Sequence, residues 1–261
     1  MSKPSQLGTA AKVATALCLT VVGGFVDAVG YIALFEVFTA NMSGNSIHIG
    51  MYLAQQDWPN LLRPFCAVVA YVVGMLMTRI AIEVAGRRSL TRIASFTLGL
   101  EAVLLAVFAH ATPRMHFGQI ADLHSPAYFS FVALLAFAMG VQTATLTNFG
   151  ALTVYTTFVT GTLTKLTESA TRSLFWIVDE LRRTGISHIV KAGAGQRDIQ
   201  QVAMLSSIWI CYVAGAAAGA LAKSHWELRA LYAPVAVLAG FVVLDLIWSI
   251  GVEEEKRQTG S

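Results

Sequence analysis

The sequence predicts an all-α, polytopic membrane bundle of about six transmembrane helices, with two further segments that are broken or re-entrant and an inverted internal repeat. Three observations lead there. Hydrophobic residues make up 56% of the 261-residue chain and charged residues only 13%, where a soluble domain carries about a quarter. Several apolar runs approach 20 residues, the length that crosses a bilayer. Two of these runs lead into polar, glycine-interrupted segments at corresponding places in two halves. The whole of 1–261 reads as one membrane domain with repeat halves 9–111 and 126–250.

The elements follow in order. Lys3 and Lys12 precede an apolar run and imitate a signal peptide, but the run continues to Phe35 with no small-residue cleavage site. It is read as an uncleaved first span over 11–34. Hydrophobicity then collapses at Thr39-Ala40-Asn41-Met42-Ser43-Gly44-Asn45 and resumes at Ile47, which makes 37–54 the first interrupted segment. A polar loop over 55–63 carries Trp58 and Pro59, Trp being enriched at membrane interfaces. Spans at 64–85 and 93–111 flank a loop holding Arg87, Arg88 and Arg92. The fourth span is 127–147, and 151–166 is the second interrupted segment. A cytoplasmic loop over 167–200 follows. Inside it Leu174, Ile177, Val178 and Leu181 recur at helical spacing between arginines, as in a helix on the membrane surface or one packed on the protein's own loops. Spans 201–222 and 229–250 complete the bundle.

The halves correspond in detail. Tyr71-Val72-Val73-Gly74 matches Tyr212-Val213-Ala214-Gly215, and Glu101 has a counterpart in Asp245. Thr39, Ser43 and Gly44 match Thr156, Thr160 and Gly161. If the interrupted segments enter and return, each half has three spans and the second half is inverted. Lysine and arginine favour the cytoplasmic side. Six spans put the Arg87/Arg88/Arg92 loop and the loop with Lys165, Arg172, Arg182, Arg183, Lys191 and Arg197 on one side, with both termini cytoplasmic. Eight crossings would put the triple-arginine loop outside; seven obey the charge rule but leave Lys3 and Lys12 outside.

Candidate site residues come from polarity at membrane depth. Asp27 sits inside the first span, where a carboxylate costs roughly 2.5–3.5 kcal/mol on insertion scales. It reads as a coupling or ligand-contact group, or as an acid hydrogen-bonded to Tyr31, Ser or Thr of a neighbour. Its counterpart is Gln142 or Thr143. Asn41, Ser43, Gly44 and Asn45 form a helix break whose freed backbone groups need protein or water partners. Thr156, Thr160, Gly161 and Thr162 would form the opposite wall of a substrate site; close helix packing is the plainer reading of such small residues. Asp27, His48 and Glu101 are the candidate proton relay, Glu101 having Arg79 as an alternative partner.

No catalytic residue, cofactor or metal is expected. Cys18, Cys66 and Cys211 lie in apolar runs without metal spacing, and no P-loop, HExxH or GxSxG is present. The net charge of +3 sits mostly in loops and indicates orientation, not nucleic-acid binding. The expected partners are membrane lipid, an unknown small solute and, through the GxxxG spacing of Gly215 and Gly219, a second copy.

GFVDAVGYIAL, FTANMSGNSIHIG and GVQTATLTNFGALTVYTTFVTGTLTKL together resemble the YoaK family of small bacterial inner-membrane proteins, a domain of unknown function. The resemblance covers nearly the whole chain, with Ser43 where the family commonly has Thr. It implies a multi-span helical fold in the bacterial plasma membrane and carries no activity over. From the residues, the leading reading is a small-solute transporter or channel with a polar site between repeats. The alternatives are a membrane-embedded enzyme using Asp27, His48 and Glu101 on a lipid or apolar molecule, and a structural or regulatory protein acting through loop 167–200.

Overall fold

The computed structural model describes residues 9–88, 92–111, 123–146, 159–184 and 195–247. Within them lie eight α-helices: α1 (Thr9–Ala33), α2 (Met42–Ala54), α3 (Trp58–Arg87), α4 (Ile93–Ala111), α5 (Pro126–Leu146), α6 (Val159–Thr184), α7 (Arg197–Trp226) and α8 (Tyr232–Ile247), with a 3-10 turn at Glu227–Leu231 joining the last two. No strand occurs among the described residues.

Five stretches are long and apolar enough to cross a membrane. The last, Arg197–Ile247, has 51 residues, about 76 Å of helix and more than twice a bilayer core. It doubles back at the 3-10 turn: Gly219 of α7 packs on Phe25 near the end of α1, and Asp245 near the end of α8 returns to Ser95 in the first turn of α4. That stretch is therefore two helices of opposite direction, α7 and the 16-residue α8.

Backbone-close crossings fix how they pair. A Cβ added to Gly24 of α1 would stand 2.2 Å from the Tyr212 carbonyl oxygen of α7, and one on Gly215 would stand 2.2 Å from the Val21 oxygen. The α3–α5 crossing repeats this: Gly140 faces the Tyr71 oxygen at 2.3 Å and Gly74 the Phe137 oxygen at 2.4 Å. Only residues without a Cβ allow this approach, the small-residue packing of membrane bundles. Gly215 and Gly219 are thus filled by α1 of the same chain. Both pairs run parallel, whereas α1 and α5 are antiparallel, Gly23 meeting Gln142 and Gly30 meeting Leu135. Helix α5 is the most enclosed, buried without interruption from Ala138 to Leu146, as befits a helix apolar on all sides.

The first interruption differs from its expected form. The break lies at 34–41, and Ser43, Gly44 and Asn45 are already in the first turn of α2. Helix α1 ends in a Schellman arrangement, the Glu36 amide donating to the Tyr31 carbonyl at 3.0 Å, with Phe35 (φ 51°) and Glu36 (φ 68°) left-handed. Helix α2 has 13 residues, about 20 Å, too short to cross. Its flanks stay together: Arg63 of α3 donates to the Phe35 carbonyl, and Tyr128 of α5 donates to the Leu34 carbonyl at 2.8 Å. The chain thus turns in and comes out at one end of the bundle.

Helix α3 begins at Trp58, not at 64, because the Asp57 side chain accepts from the Asn60 amide at 3.3 Å and Pro59 suits the first turn. Most of the predicted 55–63 loop is therefore helix. The predicted surface helix is one with the second interrupted segment: α6 runs unbroken from Val159 to Thr184, so the expected 167–200 loop starts as helix. Thr156 and the rest of 147–158 lie outside the described residues.

Candidate functional site

The polar interior begins at Asp27, which is 5% exposed. Its Oδ1 accepts from the backbone amides of Thr39 (3.1 Å) and Ala40 (2.9 Å) and from the Thr39 hydroxyl (3.0 Å). Its Oδ2 accepts from the Tyr212 hydroxyl of α7 at 2.7 Å. The partners are thus Thr39, Ala40 and Tyr212, not Tyr31. A carboxylate facing two backbone amides just ahead of a helix is matched to the positive end of that helix. The contacts draw residues 39–40 back down α1: Thr39 lies against Gly30, and a Cβ there would meet its methyl group at 2.6 Å.

Around this latch the Asn residues hold backbone. Asn41 caps α2, accepting from the Gly44 amide at 3.2 Å and from the Ser43 hydroxyl at 2.7 Å. Asn45, fully buried, accepts from the Phe38 amide at 3.0 Å and donates to the Phe38 carbonyl at 2.8 Å, imitating a strand partner. Gly44 is needed for room, since a Cβ there would meet the Phe38 ring at 2.7 Å. Ser43 is exposed. His48 lies in an aromatic row, 6.3 Å from the rings of both Phe38 and Tyr52.

Other predicted residues stand apart. Thr160 and Gly161 are exposed in the first turn of α6 and Thr162 is buried. Farther along that helix Leu166 packs on Leu205 and Ile208, beside Leu17. No hydrogen bond among the described residues joins Thr160–Thr162 to Asn41–Asn45, or His48 or Glu101 to Asp27. Of the two residues expected opposite Asp27, Thr143 accepts from the Tyr71 hydroxyl at 3.0 Å, and Asp27 accepts from that of Tyr212. The neighbouring Gln142 is fully buried, with its amide nitrogen and oxygen both lacking a partner among the described residues. Glu101, also fully buried, has no hydrogen-bond partner at either carboxyl oxygen among the described residues, and the expected Arg79 pair is not among them.

Sequence reasoning missed Arg63, expected as a loop charge. It is 7% exposed, donates to the Tyr128 hydroxyl at 3.1 Å and to the Phe35 carbonyl, and lies 5.5 Å over the Tyr128 ring. A cation at carbonyls just past the α1 C-terminus satisfies groups the helix itself leaves open. The only local signal was an arginine at the mouth of a span. Asp245 was likewise undervalued: it accepts from the Ser95 amide at 3.0 Å and from its hydroxyl, a cap for α4 supplied by α8. Among the described residues no group of three His, Cys, Asp or Glu could hold a metal.

The family model described as "Protein of unknown function (DUF1275)" matches residues 15–244. The chain belongs to the DUF1275 family. The UPF0700 transmembrane protein YoaK of Bacillus subtilis (strain 168) is similar, 26% identical over 227 residues that cover 87% of this chain and 90% of that protein. No solved structure matches. The DUF1275 match takes in the latch, both glycine crossings and the two unpartnered side chains, and the YoaK likeness agrees with the spans in making this a membrane protein.

Proposed function

We propose that this DUF1275 member is a transporter or channel for a small solute in the bacterial inner membrane, built from two inverted halves. The observation that carries the reading is the re-entrant break. The chain leaves α1, turns back to offer the Thr39 and Ala40 amides to Asp27, and exits as a half-length helix. Broken helices with buried ends at the junction of inverted repeats are how secondary transporters build a site within the bilayer. The repeat itself is supported by the matched contacts of Gly24 and Gly140, of Val21 and Phe137, and of Asp27 and Thr143. The unpartnered Gln142 and Glu101 give the interior spare polar capacity.

Orientation follows from charge. Arg87, Arg92 and Arg197 lie at the bundle end marked by Asp245, with α6 and its Lys165, Arg172, Arg182 and Arg183 joined to α7 through Leu166, and Arg63, Lys223 and Arg229 lie at the other end. The arginine-rich end is then cytoplasmic, with both termini, and α2 opens outward.

Single cysteines at Ser43 and Thr160, in a protein with Cys18, Cys66 and Cys211 replaced by alanine, test this with a membrane-impermeant thiol reagent. Ser43→Cys reacts from outside and Thr160→Cys from the cytoplasm. Reaction of both from one side, or of neither in folded protein, removes the basis for the transporter.

A further inference from the structure

We propose that Glu101 is the proton-binding group of the bundle, the acid through which solute movement is coupled to protons. Glu101 differs from Asp27, the carboxyl that polarity alone ranks first, in what surrounds it.

Both sit at one depth. Gly30 meets Leu135 and Gly23 meets Gln142, which puts Asp27 opposite about residue 138 of α5. Phe108 of α4 meets Phe131 edge-on at 5.5 Å, and counting back along this antiparallel pair puts Glu101 opposite about the same residue. Their surroundings differ. Asp27 accepts hydrogen bonds from Thr39, Ala40 and Tyr212, so both its oxygens are occupied by contacts that hold the start of α2 in place. Loading it with a proton would loosen the break. Glu101 has no such partner and can change charge without dismantling a contact.

The ionisable groups on elements packed against α4 are placed elsewhere. Asp245 of α8 serves Ser95, and Tyr128 of α5 serves Leu34 and Arg63. On α3, Tyr71 serves Thr143, Cys66 contacts the Phe129 carbonyl, and Glu83 pairs with Arg87 beside the exposed Arg79. Glu227 of the 3-10 turn pairs with Lys223, and Arg229 and Tyr232 are exposed. An isolated carboxyl suits a proton. A metal cation asks for several oxygen ligands at once, and among the described residues Glu101 belongs to no cluster of three His, Cys, Asp or Glu. Gln142, unpartnered and about 6 Å nearer the cytoplasmic end by the same count, is the second sign that this junction receives something polar.

The coupling rests on the transporter reading; the proton site does not. Dicyclohexylcarbodiimide, an apolar reagent, adds to the O–H of a carboxylic acid and rearranges to a stable N-acylurea that mass spectrometry locates. In the full chain in lipid vesicles, Glu101 is modified about tenfold or more over Asp27, whose two oxygens are already engaged by Thr39, Ala40 and Tyr212. Equal or preferential modification of Asp27 overturns the proposal. Infrared spectra provide a second arm: the carbonyl band of a buried carboxylic acid disappears in Glu101→Gln and shifts in Glu101→Asp, and a band unmoved by either overturns it too. Modified Glu101 with no sided labelling of Ser43→Cys and Thr160→Cys leaves the proton site standing and removes the transporter. Sided labelling with an unreactive, infrared-silent Glu101 does the reverse.

Discussion

At the scale of single residues, side chains standing in for backbone partners carry the break. Asp27 satisfies two amides and two hydroxyls. Asp27→Ala strands all of these in a buried place, at about 1–3 kcal/mol each, and a total loss on the order of 4 kcal/mol is expected. Asp27→Asn keeps an acceptor and loses roughly half as much. Thermal unfolding in detergent would show that order; a D27A protein as stable as the parent would mean the latch holds nothing. Asn45→Leu removes both ends of the Phe38 clamp and is expected to lose about 2 kcal/mol. Asn45→Asp keeps the acceptor for the Phe38 amide and lies between. If the two destabilise equally, the clamp geometry is not what stabilises the loop.

At the scale of elements, glycine positions make opposite predictions. Gly24 abuts the backbone of Tyr212, whereas Gly50 in the exposed part of α2 has nothing within 4 Å. Gly24→Ala must push α1 off α7 and is expected to destabilise by about 1–3 kcal/mol. Gly50→Ala gains helix propensity, up to about 1 kcal/mol. Gly140→Ala should match Gly24→Ala if the two crossings are equivalent; a silent G140A against a damaging G24A would break the proposed repeat. The spans were legible in the sequence, and 93–111 coincides with α4 to the residue, because an apolar run of bilayer length has few other solutions. The break was legible only in outline. Ser43-Gly44-Asn45 reads as a helix stop, yet such residues are equally at home in a first helical turn once Asn41 caps it. The actual turn falls on Phe35 and Glu36, which carry no turn signature; Arg63, 28 residues away, holds that conformation, and nothing local announces it. Asp27 was found because a carboxylate in a span is conspicuous. Its role as a latch required knowing where Thr39 and Tyr212 come to rest. Glu101 and Asp245 looked like counterparts, yet Asp245 caps a helix and Glu101 has no hydrogen-bond partner among the described residues.

At the scale of the whole molecule, α1 packs on α7 and α5 on α3, which under the proposed repeat is an exchange of partners between halves. The direction of every span then follows from one choice of side. A reporter fused after Arg88 should signal cytoplasm and one fused after Ala111 the exterior; an exterior signal after Arg88 would invert the assignment and with it the cytoplasmic placement of α6. The exchange of partners also bears on manufacture. Tyr212 follows Asp27 by 185 residues, so at ribosomal speeds of about 5–20 residues per second the acid waits roughly 10–40 s for its hydroxyl. During that interval α1, with its carboxyl and its close-packing glycines, is without its mate. A gene cut in the 112–122 connection should therefore yield fragments that survive proteolysis only when both are made in the same cell.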